Sequence, residues 1–287
     1  MATVTLEHIS YTYGKGTPFE VKALDDVSLT IREGAVTGII GHTGSGKSTM
    51  VQLFNGLERP DSGRVLLDGE DVWAKPKEIR KVRFRVGLVM QYPEYQLFEE
   101  TVRQDIAFGP RNMGLSDAEI AERVKEAADV VELDEQFLDA SPFDLSGGQK
   151  RRAAIAGVMA MRPEVLVLDE PAAGLDPRGR DIILQAVRRY GEKNKATVII
   201  VSHSMEDMAV YCDDIVVMSQ AKVFLSGTRD EVFSHAAELD SVGLAVPQIT
   251  RLALILREKG VALPGGIYTV SAAIDALLPL FSEKDVL

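Results

Sequence analysis

A single cysteine, Cys212, stands among the 287 residues of the chain. That count excludes an internal disulfide and any zinc site built from several cysteines, and it points to a reducing compartment, the cytoplasm. Long apolar runs are missing too. A membrane-crossing helix needs roughly 20 consecutive apolar residues, whereas the strongest runs here, residues 165–168 and 197–201, stop at charged or polar side chains. The sequence does not open on a basic start followed by an apolar stretch and a small-residue cleavage site, so no secretory leader is expected. Positive charge is scarce: 32 Lys and Arg stand against 43 Asp and Glu, a net charge of −11. Such a balance repels phosphate backbones and anionic lipid, and nucleic acid is not an expected partner.

What is present suits a large core, with 46% hydrophobic and 26% charged residues. Residues 3–13 alternate apolar and polar through Val4, Leu6 and Ile9, and residues 23–31 repeat the habit with Leu24, Val27, Leu29 and Ile31. Both read as half-exposed antiparallel strands. Residues 36–40, Val-Thr-Gly-Ile-Ile, read as one short apolar run with Thr37 inside it, as a strand covered on both faces would be. Residues 85–91, 165–169 and 197–202 are further short apolar strands, separated by helical patterns at 116–132 and 179–190. That alternation predicts a mostly parallel sheet. From about 95 to 161 the pattern is helical, with Ser116 as an N-cap and Glu119 three residues on, so an inserted helical subdomain is expected. Beyond about Gly227, glycines and prolines punctuate two apolar helical stretches, 249–257 and 270–281, which read as a separate small unit.

Directly after the apolar strand at 36–40 comes GHTGSGKST, that is Gly41, His42, Thr43, Gly44, Ser45, Gly46, Lys47, Ser48 and Thr49. The spacing is that of a P-loop, in which backbone N–H groups of a glycine-rich turn and the following helix surround phosphate oxygens. Lys47 reaches the β- and γ-phosphates, and the Ser48 hydroxyl binds Mg2+, so ATP and Mg2+ are the expected cofactors. His42 occupies a variable position of the loop. A second strand, VLVLDE, ends in Asp169, placed to hold magnesium through water, and Glu170, placed to orient or deprotonate an attacking water. Alone, an apolar run ending in two acids also describes a strand meeting solvent; beside a P-loop it reads as chemistry.

The stretch LSGGQKRRAAIAG, residues 145–157, resembles the signature motif of ATP-binding cassette (ABC) proteins. Its Ser146, Gly147, Gly148 and Gln149 open a helix and form a second anion cradle. In that family the cradle of one subunit closes over ATP held by the P-loop of another, so the resemblance implies a second subunit. Gln91 resembles the Q-loop glutamine that senses magnesium, and His203 the switch histidine on the γ-phosphate. AGLD, residues 173–176, resembles the D-loop that runs along the partner, with Ala173-Gly174 in place of the more usual Ser-Ala start and Asp176 expected to cross the interface. Tyr13 resembles the aromatic that stacks on adenine; Tyr11 fits less well on the alternation. The likeness covers residues 1 to about 227. It implies an α/β P-loop NTPase with an ABC-type nucleotide-binding domain over residues 1–228, made of a mostly parallel core sheet, an antiparallel β-subdomain and the inserted helices. A small C-terminal helical domain follows at 229–287. Glu170, His203, Gln91 and Lys47 are the implied catalytic residues, and Ser48, Gln91 and Asp169 the implied metal-binding ones.

Two longer stretches narrow the likeness. MQYPEYQLFEETV, residues 90–102, and SPFDLSGGQKRRAAIAG, residues 141–157, resemble the ATPases of energy-coupling factor transporters, which import vitamins and some transition metals. The context PFDLSGGQKRR is most similar to the second, A-prime, ATPase of that family. The resemblance implies a heterodimer with a second ABC ATPase, a transmembrane coupling protein and an integral-membrane substrate-binding subunit. It places the chain at the cytoplasmic face of the cell membrane, held there by those partners. The tail from 228 resembles the extension with which these ATPases hold each other. Its apolar faces, Ile249, Leu252, Ala253 and Leu256, then Val270, Ile274, Leu277, Leu278 and Phe281, either meet a partner or pack back on their own cassette. Tyr92, Pro93, Tyr95, Leu97 and Phe98 mark a groove for helices of the coupling protein, with Glu94, Glu99 and Glu100 offered to basic residues of the incoming helix. The other reading is the ATPase of an ABC importer that takes amino acids or metal ions from a soluble receptor.

Overall fold

The computed structural model describes residues 2–280. In chain order its N-terminal half contains β1 (Val4–Tyr13), β2 (Val21–Ile31), β3 (Val36–Gly41), α1 (Lys47–Phe54), β4 (Ser62–Leu67), β5 (Glu70–Asp71), α2 (Ile79–Arg85) and β6 (Val86–Val89). Three helices follow, α3 (Val102–Asn112), α4 (Asp117–Val130) and α5 (Gly147–Met159). Then come β7 (Val165–Asp169), α6 (Pro177–Asn194), β8 (Thr197–Val201), α7 (Met205–Tyr211), β9 (Asp214–Ser219) and β10 (Lys222–Thr228). The chain continues through α8 (Arg229–Ser234), α9 (Ala236–Ser241), α10 (Gln248–Glu258) and α11 (Val270–Leu277).

Two sheets result. The smaller is antiparallel in the order β2-β1-β4-β5, and the larger runs β10-β9-β3-β8-β7-β6. Neighbours from β9 to β6 are parallel, and β10 adds an antiparallel edge. Side chains along a strand alternate between faces, and both faces of the large sheet are covered. On β7, Val165 and Val167 join the core shared with the antiparallel sheet and α1, whereas Leu166 and Leu168 join the core made with the helices. Ile199 and Val201 of β8 share the first core, and Val198 and Ile200 the second. This double cover is why β3, β7 and β8 read as largely apolar runs rather than as alternating ones, and why Thr37 and Thr197 in them are buried.

The helices of the inserted region begin on side-chain caps. Thr101, Ser116 and Ser146 each accept from the backbone N–H three residues on, with Gln104, Glu119 and Gln149 reaching back, so α3, α4 and α5 all start in capping boxes.

Two expectations are corrected. The run at 85–91 is not a single strand: Arg85 closes α2, and pairing covers only Val86–Val89. Tyr92 takes a left-handed φ of 54° ahead of Pro93, which ends the extended run and leaves Gln91 in a turn. The tail also does not detach at 229. Val232, Phe233, Leu239, Leu244 and Val246 lie in the same buried cluster as the parallel sheet and the inserted helices. Only α10 and α11 keep a small core of their own, Ala253, Ile267 and Ala273. Thr250 and Ala253 are the buried residues of α10, and the Thr250 hydroxyl donates to the Ile267 carbonyl at 2.9 Å. Leu252, Val270, Ile274 and Leu278 stay exposed, and Phe281 lies outside the described residues. Among the described residues, no helix is long and apolar enough to cross a membrane.

Candidate functional site

β3 delivers the chain into the glycine turn and α1 carries it away. Gly46 caps α1 at φ 104°, where a Cβ would fall 2.3 Å from the Ala23 carbonyl of β2. Any side chain there would push the turn off the antiparallel sheet. Gly41 is equally confined, with the Met218 carbonyl 2.3 Å from a Cβ position.

Around this turn lies a cleft of about 350 Å³. Tyr13, Thr43, Gly44, Gly46, Lys47, Ser48, Thr49, Gln91, Asp169, Glu170 and His203 line it, together with Val21, Ala23 and Val201. The first group was named from the motifs; the last three are wall residues of β2 and β8 that carry no motif. Asp169 ends β7 and His203 follows β8, so adjacent parallel strands bring them to one edge of the sheet. Tyr13 is partly exposed, its hydroxyl 3.2 Å from Thr49 Oγ1 and its ring edge-to-face with Tyr11 at 4.8 Å. The Tyr11 hydroxyl is turned away to Glu58 at 2.6 Å, which leaves Tyr13 as the ring facing the cleft.

Lys47 is buried, and its Nζ donates to the Gly41 and His42 carbonyls at 2.8 Å each. Burial lowers its pKa, opposed by the charges of Glu170 and Asp169. Burial raises the Asp169 carboxyl, against the Ser48 hydrogen bond and the Lys47 charge. Glu170 is pushed up to about 7, first by burial and then by the neighbouring Asp169. His203 is lowered by burial and by Lys47. Its Nε2 lies 3.2 Å from Glu170 Oε1, off the hydrogen-bonding direction, so this buried oxygen has no hydrogen-bond partner among the described residues. Glu170 itself holds a left-handed φ of 51°, with its N–H on the Val201 carbonyl at 3.0 Å. Strain of this kind persists where the surroundings fix it, as at active sites.

Because the folded carboxyl holds its proton more tightly than the unfolded chain does, the nucleotide- and metal-free protein is expected to lose stability relative to Glu170→Gln as pH rises from 4.5 to about 7. Urea midpoints of the two proteins below and above that window check this.

The signature residues stand apart. Ser146, Gly147, Gly148, Gln149 and Asp176 do not line the cleft. Ser146 caps α5, and Asp176 caps α6 by accepting from the Gly179 N–H at 2.7 Å. Gly41, Ser45 and His42 form the loop behind the lining, and the His42 ring points to the Val242 carbonyl.

An ion pair that motif reading missed ties three of these segments together. Arg151 of α5 donates Nε to Glu94 at 2.9 Å and a terminal nitrogen to its other oxygen at 2.6 Å, and it also donates to the Ala173 carbonyl. The pair is nearly closed to solvent, at 4% and 15% side-chain exposure. Burial raises the Glu94 carboxyl, but Arg151 outweighs it and the net shift is downward. Glu94 is therefore not offered to an incoming helix, which corrects the expectation above. Beside it, a groove of about 750 Å³ is lined by Arg80, Arg83, Phe84, Leu97, Phe98, Asp105 and Phe108 among others. Phe98 in its lining is 61% exposed, and Tyr95, three residues earlier in the chain, is 84% exposed.

The oxygen donors of Ser48, Gln91 and Asp169, with the unpartnered Glu170 Oε1, suit a hard divalent cation such as Mg2+.

Fold and site together define a P-loop ATPase, with the Ser146–Gln149 helix start outside the lining of its nucleotide cleft. The family model described as ABC transporter matches residues 24–173. The energy-coupling factor transporter ATP-binding protein EcfA2 of Clostridium acetobutylicum is 54% identical over 276 residues, 96% of each chain. That of Clostridium tetani is 51% identical over 98% of each. Among solved structures, cbiO1 of Clostridium perfringens, described as part of the ABC transporter complex cbiONQ, superposes with a TM-score of 0.74 at 40% identity, covering 88% of this chain and 98% of that one. The ATP-binding cassette MJ0796, solved as a dimer bound to ADP and Pi, gives 0.71 at 29% identity, covering 79% of this chain and 98% of that one. The chain belongs to the ABC transporter family and, within it, to the ATP-binding subunits of energy-coupling factor transporters. It binds and hydrolyses ATP.

Proposed function

We propose that the chain works as one half of an ATPase pair that powers uptake of a vitamin or a transition metal ion. Its partners are a second ABC ATPase, a transmembrane coupling protein and an integral-membrane substrate-binding subunit, which hold it at the cytoplasmic face of the membrane. The observation that carries the pairing is that Ser146, Gly147 and Gly148, which open their own helix, do not line the P-loop cleft of the same chain. One nucleotide cannot use both, so a second cassette must supply the missing half to each cleft.

In the closed pair, Tyr13 stacks on the adenine, P-loop N–H groups and Lys47 hold the β- and γ-phosphates, and His203 donates to the γ-phosphate. Lys47 must exchange the Gly41 and His42 carbonyls for phosphate oxygens. Bound at Ser48, Gln91 and Asp169, Mg2+ supplies positive charge against the phosphates. Glu170 takes a proton from the water whose oxygen attacks the γ-phosphorus, and the bond to the β–γ bridging oxygen breaks to release ADP.

The groove beside α3 and α5 receives the coupling protein. Its exposed aromatic border offers apolar area, and Glu99 and Glu100 remain for basic residues of the incoming helix. Reversing Glu99 and Glu100 to Lys is expected to weaken co-purification with the membrane subunits while nucleotide binding holds. Wild-type recovery of those subunits with the double reversal would count against this docking site. For the assembly as a whole, the chain is captured from solubilised native membranes and its companions identified. A second ABC ATPase with two integral-membrane proteins supports the proposal; a soluble or lipid-anchored receptor supports the other importer class instead.

A further inference from the structure

The C-terminal extension touches the phosphate-binding turn from behind. His42 Nε2 sits 2.7 Å from the Val242 carbonyl oxygen, 200 residues further along the chain. A carbonyl only accepts, so the imidazole carries its proton on Nε2 in this contact. The next residue, Gly243, has a left-handed φ of 72°, and a Cβ built there would lie 2.8 Å from the same nitrogen. Glycine alone lets this backbone lie flat against the ring.

Neither side of the contact is loose. Val242 caps α9, and the Gly243 and Leu244 N–H groups donate back to the Asp240 and Leu239 carbonyls at 2.9 Å each. Leu239 and Leu244 are buried in the large core. On the other side, the His42 carbonyl accepts from Lys47 Nζ at 2.8 Å and from the Ser45 N–H at 3.1 Å. One residue thus has its ring held by the extension and its carbonyl against the lysine that serves the phosphates.

We propose that His42 is a positioning residue which couples the Val242–Gly243 turn of the extension to the P-loop, so that the extension sets part of the affinity for ATP. The inference rests on the P-loop reading and adds to it a route by which a protein bound to the extension alters nucleotide binding. Without the contact, the first peptide units of the loop lose an anchor and must be ordered by the nucleotide itself, which weakens binding without altering the reacting groups.

The test is equilibrium binding of ATP to the full-length chain, with thermal melting as a check on folding. Gly243→Ala, which touches no nucleotide, and His42→Ala are each expected to weaken ATP binding roughly 2–10-fold, the range of one net hydrogen bond. Their combination is expected to do no worse than the stronger single variant, because both break one contact. His42→Gln, which returns an amide donor near Nε2, recovers most of the loss. In the assembled ATPase pair, Gly243→Ala raises the KM for ATP by the same factor and leaves kcat within about twofold. Wild-type affinity in both single variants, or effects that simply multiply in the double variant, overturns the proposal. Failure of the unaltered, folded chain to bind ATP overturns the P-loop reading as well, so the two failures are distinct.

Discussion

Replacing Glu170 by glutamine is expected to lower ATP turnover roughly 10²–10⁴-fold, the usual worth of a positioned general base. The change keeps the volume of the side chain and removes its ability to take a proton. In the free chain the Glu170 carboxyl is held near neutrality, with a pKa of about 7, by burial and by Asp169. A base poised there accepts a proton from water without being so weak that it stays charged under all conditions. The substitution leaves the surroundings of the side chain in place: the backbone N–H meets the Val201 carbonyl, and Lys47 and Ser48 line the cleft. ATP affinity is therefore expected to persist. Because the nucleotide that closes the pair is no longer consumed, the complex with the second ATPase should also last longer on a sizing column containing ATP. Phosphate release measured on the assembled pair decides the matter, and wild-type turnover would remove Glu170 from the role of base. A loss of ATP binding in parallel with turnover would instead mean that the carboxylate shapes the cleft.

Much of this site was legible because its chemistry is local in sequence. A glycine turn between a buried strand and a helix, and an apolar strand ending in two acids, each put their functional groups within a few residues. The parallel sheet then does the assembling, since β3, β7 and β8 are neighbours and all present their carboxyl ends to one edge. Less legible were contacts whose partner carries no signal. The Val242 carbonyl that meets His42 is a backbone atom, and nothing in the identity of a valine announces it. The tail misled for a related reason. Its glycines and prolines mark turns, yet Phe233 and Leu239 sit in short helices of 6 residues each, too brief to show an apolar period, and these carry the tail into the main core. Glu94 misled because a charge in a polar, aromatic-rich loop reads as solvated, and the arginine that buries it comes 57 residues later.

That arginine supports the second large effect. Arg151→Ala is expected to cost roughly 3–5 kcal/mol of stability, the range for removing one partner of a buried ion pair. The cost arises less from lost attraction than from what is left behind: a Glu94 carboxylate with 15% exposure and no counter-charge, and an Ala173 carbonyl without its donor. At the size of this chain such a loss lowers the melting midpoint by roughly 10 °C. Arg151→Lys should rescue little, because an ammonium cannot reproduce the two-pronged contact to Glu94 while also reaching the Ala173 carbonyl. Pairing Arg151→Met with Glu94→Gln removes both charges and should recover most of the stability. The double variant then separates fold from function. Arg151 joins the turn after Gln91, the helix that begins at Ser146 and the segment leading to Asp176, so under the proposed function it links the stretches between the paired ATPases and the proposed docking groove. A double variant that melts like wild type but no longer speeds its ATP turnover when joined to the membrane subunits would assign the ion pair to that transmission. One that melts like wild type and remains fully coupled would confine Arg151 to stability.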